Sequence, residues 1–338
     1  MENKIKKYIS LCFGILISML VLLSCDPPEP VEFKATPYQL QIPKYFPTNL
    51  NIPDDNPMTV EGVKLGRYLF YDGRLRGYLG TEPDSLMSCA TCHIQEHGFE
   101  CGLNHPRYTD GRPFGVNGKK THHSMLPLCN LVFNNNGYLW NGFIYKENPN
   151  VSRRNLENIV SMAIVAEDEM NTTIERAVNA IKKIDIYPPM FKAAFGTEEV
   201  TIDRIEKAIA QFIRTLISGN SKFDRYIRGE EQLTPDELAG FVLFTTEEGA
   251  DCFHCHGSDG NLLMTTNSFY NNALDSVFTD TQDRSSVTGN SFDVGTYRAP
   301  TLRNIGVTAP YMYDGRFKTL DEVINFYSEG LNATPYVH

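Results

Sequence analysis

The stretch "SCATCHIQEHGF", residues 88–99, decides how the rest of the chain is read. It sets Cys89, Cys92 and His93 at C-x-x-C-H spacing, and "ADCFHCHGSDG", residues 250–260, repeats that spacing with Cys252, Cys255 and His256. Three chemistries commonly use Cys-x-x-Cys. A structural zinc site needs four ligands drawn from paired Cys and His spacings. A thioredoxin-type redox site sits beside a βαβ pattern, which this sequence lacks. The His directly after the second Cys separates the motif from both, because C-x-x-C-H is the attachment signature of c-type haem. The two thiols bond the porphyrin edge and the His reaches the iron from the same turn. Two copies therefore imply two covalently attached haem c groups, with His93 and His256 as proximal iron ligands.

Working outward, an apolar helical segment precedes each motif: "KLGRYLFYD" (64–72) before the first and "LAGFVLFTT" (238–246) before the second. This echo predicts an all-α fold with few short strands, built from two cytochrome c-like haem domains related by duplication. The expected limits are 59–219 and 220–338. Thr59 is placed to cap a helix carrying Val63, Tyr68, Leu69 and Phe70 on one apolar stripe. Helices are predicted over "RRNLENIVSMAIVAEDEM" (153–170), "NTTIERAVNAIKKI" (171–184) and the short "YPPMFKAAFG" (187–196). "TIDRIEKAIAQFIRTLIS" (201–218) puts Ile202, Ile205, Ala208, Ile209, Phe212, Ile213 and Leu216 on one face. "GNSKFDRYIRGE" (219–230) reads as an interdomain link. Thr234, Pro235 and Glu237 then form a strong helix start.

The N-terminus reads as an export segment, 1–24. Lys4, Lys6 and Lys7 precede an apolar run from Tyr8 to Leu23 that ends in "LLSC". That ending resembles a lipoprotein processing site with Cys25 as the lipid-bearing residue; an ordinary cleaved signal peptide is the alternative. The Pro-rich stretch after it makes 25–58 a tether. These features place the chain in a bacterial cell envelope, on the periplasmic side, anchored to the membrane by lipid. The net charge of −10, with no basic cluster in the mature region, argues against nucleic acid as a partner. Cys12 leaves with the signal, so Cys101 and Cys129 are left over. They are either a disulfide, the reading an oxidising compartment favours, or two buried thiols.

Both motifs, together with "LCNLVFNNNGYLWNGF" (128–143), "EDEM" (167–170), "FIRTLISGNSKFDRYIRG" (212–229) and "APTLRNIGVTAPYMYDGRFKTLDEVINFY" (299–327), resemble the bacterial di-haem cytochrome c peroxidase/MauG family. The resemblance spans nearly all of the mature chain. It implies that peroxide reacts at the N-terminal haem. Electrons would reach it through the C-terminal haem from a small donor such as a monohaem cytochrome c. Glu169 matches the glutamate that manages protons at the peroxidatic haem, with Met170 packed nearby. The plain reading of Glu169 is a surface carboxylate beside Asp168. Trp140 matches the tryptophan between the haems; its plain reading is core. Tyr327 matches the sixth ligand of the second haem, where peroxidases carry Met and the MauG branch carries Tyr. Met312 is the alternative ligand, and a core aromatic is the plain reading of Tyr327. The resemblance also implies a calcium ion between the domains, through the carbonyls of Arg298 and Pro300, although Ser124 stands where the family has Asn.

Other departures concern the distal pocket. No Gln or Pro precedes Glu169 in "ENIVSMAIVAEDEM", and His97, His105, His122 and His123 could each cap the first iron. The family's usual extra helix is not seen beyond "TPYVH", and its frequent homodimer has no readable interface here. Three functions follow: peroxide reduction to water, a MauG-like oxidation of a protein or organic substrate, and electron transfer without catalysis. Zinc or redox dithiol chemistry at the motifs is a fourth.

Overall fold

The computed structural model describes residues 33–78, 86–143, 156–258 and 260–334. The export segment, Cys25 and residues 335–338 lie outside them. Thr59 opens the first helix, α1 (Val60–Tyr71), its hydroxyl accepting from the Gly62 N–H at 3.1 Å. The buried face is Gly62, Leu65, Gly66, Leu69 and Phe70, whereas Tyr68, expected on the stripe, points outward. Glycine causes the difference. Gly62 and Gly66 lie one turn apart on the same face. A Cβ at Gly66 would run into the Ala208 carbonyl, and one at Gly62 into the Gln211 side chain. The bare backbone lets α1 lie directly on α5 (Ile202–Arg214).

Helix α5 buries Ile205, Ala208, Ile209, Phe212 and Ile213, as its spacing predicts, with Ile202 and Leu216 packed at the margin. Around this pair stand α2 (Glu157–Val165), α3 (Ile174–Lys182) and α4 (Tyr187–Phe195), and one apolar core joins them. The core also carries a buried ion pair. Arg214 donates to both oxygens of Glu157 at 2.7 and 3.0 Å, and Glu157 accepts from Asn56 Nδ2 at 2.6 Å.

Three expectations need correction. The helix foreseen to Met170 stops at Val165. Glu167, Asp168 and Glu169 would put three carboxylates at a C-terminus with no basic residue in its last turn, where the helix dipole disfavours them. They form a turn instead, closed by Asn171 N donating to Ala166 O. The stretch expected as a tether, 25–58, includes residues packed on the rest of the chain. Phe46 is buried in a second apolar cluster, and Asn51 O accepts from Arg214 Nε. Finally, the link at 219–230 contains a helix, α6 (Lys222–Ile227), started by a reciprocal Ser221–Asp224 cap and pinned by Arg303 on Asp224 at 2.9 Å.

Helix α7 (Pro235–Thr245) begins at Thr234 with the expected cap from Glu237. It leads to α8 (Phe253–His256), which is the second motif itself. Beyond lie α9 (Ser285–Thr288) and α10 (Leu320–Glu329). Strands are short: β1 (Tyr108–Thr109) pairs antiparallel with β2 (Arg112–Pro113), and β3 (Phe269–Tyr270) with β4 (Tyr297–Arg298). The fold is mostly helical with few short strands, as the sequence implies.

Candidate functional site

Both motifs fold into the same turn. His93 N–H donates to Cys89 O at 2.9 Å, and His256 N–H to Cys252 O at 3.1 Å. One turn thus holds each His beside its two thiols. Each imidazole is also aimed by a carbonyl. His93 Nδ1 lies 2.7 Å from Phe99 O, and His256 Nδ1 3.2 Å from Pro300 O. Pairing Nδ1 fixes the ring and leaves Nε2 available as a ligand.

Each turn opens on a cavity. The first, about 430 Å³, is lined by Cys89, Cys92, His93, Glu169, Met170 and Trp140 among others. The second, about 150 Å³, is lined by Cys255, His256, Met312, Tyr327 and Trp140, with Cys252 on the same turn. Burial pushes His93 down to about 4, keeping it neutral and able to ligate. Burial, then the nearby Glu169 carboxylate, pushes the Cys89 thiol up to about 12, and the Cys92 thiol likewise. Neutral imidazoles on carbonyl partners, paired thiols and apolar space beside them fit covalently attached haem at both turns.

Glu169 sits in the turn after α2, its carbonyl held by Val116 N–H at 3.0 Å. Gly115 permits this approach, since a Cβ there would meet the carbonyls of Asp168 and Glu169. The Glu169 carboxyl faces the first cavity and is pushed up to about 7, by burial first and by Asp168 second. Trp140 is 8% exposed, lines both cavities, and donates Nε1–H to Ser124 O at 2.9 Å. Arg298 stands in the same dividing wall. Its guanidinium donates to the carbonyls of Leu139, Gly137 and Asn267 at 3.0, 2.8 and 3.1 Å.

Tyr327 and Met312 meet at Asn272, whose Nδ2 donates to Tyr327 Oη at 3.0 Å and approaches Met312 Sδ at 3.6 Å. Tyr327 is 45% exposed overall, yet it is among the residues that line the second cavity.

Some expected partnerships do not form. Cys101 and Cys129 are free thiols rather than a disulfide; Cys101 is buried and Cys129 Sγ turns to Gly98 O at 3.5 Å. Of the candidate capping histidines, His97 Nδ1 pairs with Val307 O and His105 Nδ1 accepts from Arg107 N–H. His122 and His123 line the first cavity but bind Asp280. The oxygens expected for calcium fit poorly. Ser124 Oγ donates to Met312 O at 2.7 Å, and Pro300 O accepts from His256. Sequence reasoning missed Asn272 and Asp280, which lie in irregular segments, and Tyr297, in the two-residue strand β4; none has a periodicity to mark it.

A helical chain whose two C-x-x-C-H turns open on adjoining cavities belongs to the class of c-type di-haem redox proteins. The comparisons narrow this. Residues 60–232 match the family model described as di-haem cytochrome c peroxidase. The chain is 31% identical to the methylamine utilization protein MauG of Methylorubrum extorquens, over 86% of this chain and 74% of that one. It is 30% identical to the cytochrome c551 peroxidase of Nitrosomonas europaea, over 79% and 73%. A crystal structure of a MauG-like protein associated with microbial copper homeostasis superposes with TM-score 0.74 at 32% identity, covering 89% of this chain and 86% of that one. The chain belongs to the di-haem cytochrome c peroxidase family, and two haem c groups follow from that membership.

Proposed function

We propose that the chain is a peroxidase that reduces hydrogen peroxide to water with electrons from a small monohaem cytochrome c. Covalent haem supplies the redox chemistry, the first group held by Cys89, Cys92 and His93 and the second by Cys252, Cys255 and His256. Reduction of one peroxide takes two electrons and two protons. The observation that carries the reading is Glu169, a carboxyl on the wall of the first cavity with its proton affinity brought near neutrality. A group of that affinity can both take and give up a proton at neutral pH. Trp140, in the shared wall, is the electron path between the halves 59–219 and 220–338. The net charge of −10 suits a basic donor. Lipid attachment at Cys25 on the periplasmic side, and a homodimer, complete the proposal.

A MauG-like oxidase is the second reading, and Tyr327 favours it: a phenol facing the second cavity would, as phenolate, be a hard anionic donor that stabilises oxidised iron. Peroxide consumption with reduced cytochrome c as donor tests the first reading. Turnover that Glu169→Gln lowers by roughly 10²–10⁴ supports it. Peroxide-dependent oxidation of an added protein or organic substrate, with no donor turnover, favours the second. Two low-spin haems indifferent to peroxide would leave an electron carrier.

A further inference from the structure

One polar cluster plays no part in the proposed reaction. His122 Nε2 lies 2.6 Å from Asp280 Oδ1, and His123 Nε2 lies 2.7 Å from Asp280 Oδ2. The three candidate ligand atoms all fall within 4.8 Å of one another. The two rings stand at 86° with centroids 4.7 Å apart, so that both Nε2 atoms converge on one carboxylate.

We propose that His122, His123 and Asp280 bind one divalent first-row transition ion of the zinc or copper type. The donor set selects this class. Two neutral imidazole nitrogens and one carboxylate suit zinc or copper, whereas calcium and magnesium take mainly oxygen ligands. The geometry needs little change. Ligands about 2.0–2.1 Å from a tetrahedral ion sit a little over about 3 Å apart, so the two contacts open by well under about 1 Å.

The outer groups are already in place, as orientation of metal ligands requires. Tyr297 Oη donates to Asp280 Oδ2 at 2.5 Å, and Gln282 N–H to Oδ1 at 2.8 Å. Tyr297 is itself fixed by stacking on Tyr313, centroids 3.8 Å apart and 8° from parallel. On the other side, Arg112 Nη1 donates to His122 O and Thr121 Oγ1 to His123 O. Burial alone would raise the Asp280 carboxyl, but the hydrogen bonds from His123, Tyr297 and His122 outweigh it and hold the group far below the usual carboxylate range. The His122 side chain keeps 37% of its surface, which gives an ion an entry from solvent. The ion would tie the segment before Trp140 to the segment before β4, which together border both cavities.

The test uses the purified di-haem protein, stripped with EDTA and titrated with Zn²⁺ by calorimetry. One saturable ion per chain is expected, weakened at least about tenfold in Asp280→Asn and in His122→Ala. An unchanged haem spectrum confirms that each variant is folded. His122, the more exposed ligand, serves if the Asp280 variant does not fold. With Cu²⁺, electron paramagnetic resonance should show splitting from two nitrogens, reduced to one in His122→Ala. Absence of saturable Zn²⁺ binding, or an affinity in both variants undiminished from the wild type, overturns the site. Neither outcome depends on whether the protein reduces peroxide.

Discussion

The first cavity takes one wall from helices, with Phe70 from α1, Ile159 to Ala163 from α2, and Ile209 and Ile213 from α5, and loop residues such as Glu169 and Trp140 complete it. The second is walled by loops, with Val323 and Tyr327 of α10. The first holds a buried acid in about 430 Å³, and the second holds a phenol and a thioether in about 150 Å³. Identical attachment turns thus face different chemistry. A roomy pocket with a carboxyl near neutrality suits proton-coupled work on a small molecule. A narrow one with further donors suits an iron that passes electrons.

The largest test of this contrast removes one haem at a time. Cys89→Ala with Cys92→Ala should halve the pyridine haemochrome content and abolish peroxide turnover. The matching pair at Cys252 and Cys255 should also halve the haem, yet leave peroxide-induced spectral change at the remaining group. If either pair gave the same outcome as the other, the division of labour would fail. Next, Glu169→Gln should lower the rate by roughly 10²–10⁴. The rate limb centred at about pH 7, rising as the carboxyl ionises to become a base, should vanish with it. A mutant with that limb intact would move the proton role elsewhere.

At the second cavity, Tyr327→Phe should alter the optical and resonance spectra of the second haem while Met312→Leu leaves them unchanged; the reverse outcome makes Met312 the ligand. The ion pair that braces the first cavity sharpens the contrast further. Arg214→Leu strands Glu157 in the core and should cost roughly 3–5 kcal/mol in chemical denaturation.

The smallest effect concerns pH and stability. Burial raises Glu100 to about 8 despite the Gly102 and Cys101 N–H groups. Its folded value exceeds its unfolded one. Its stabilising contribution is therefore full below the ordinary Glu range and lost as pH rises through about 8. Asp280 has the opposite sign, and its contribution is lost only as pH falls below the ordinary Asp range. Denaturation midpoints of Glu100→Gln between pH 5 and 9 should lie flatter than those of the wild type.

Much of this was legible before any coordinates. Helix α5 follows from a repeat of seven apolar residues, and both haem turns from spacing alone. Tyr68 misled because periodicity counts apolar side chains and cannot see that two glycines define the packing face. The periodic pattern continues through the acidic run to Glu169 and so predicts helix there, although the helix dipole argues against it. Asn272 and Asp280 left no local trace, since their roles come from pairing with residues 55 and 158 positions away.

The wall between the cavities holds a charge as well as an aromatic ring. Arg298 is pushed down to about 9 by burial, yet it stays cationic at neutral pH among backbone carbonyls. A fixed positive charge in a poorly polarisable medium lowers the energy of an electron on either side of it. The partition is therefore an electrostatic bias built into the main chain's own folding. On the proposed reading it would favour reducing equivalents equally from both ends, and the direction of flow would fall to the unequal surroundings of His93 and His256.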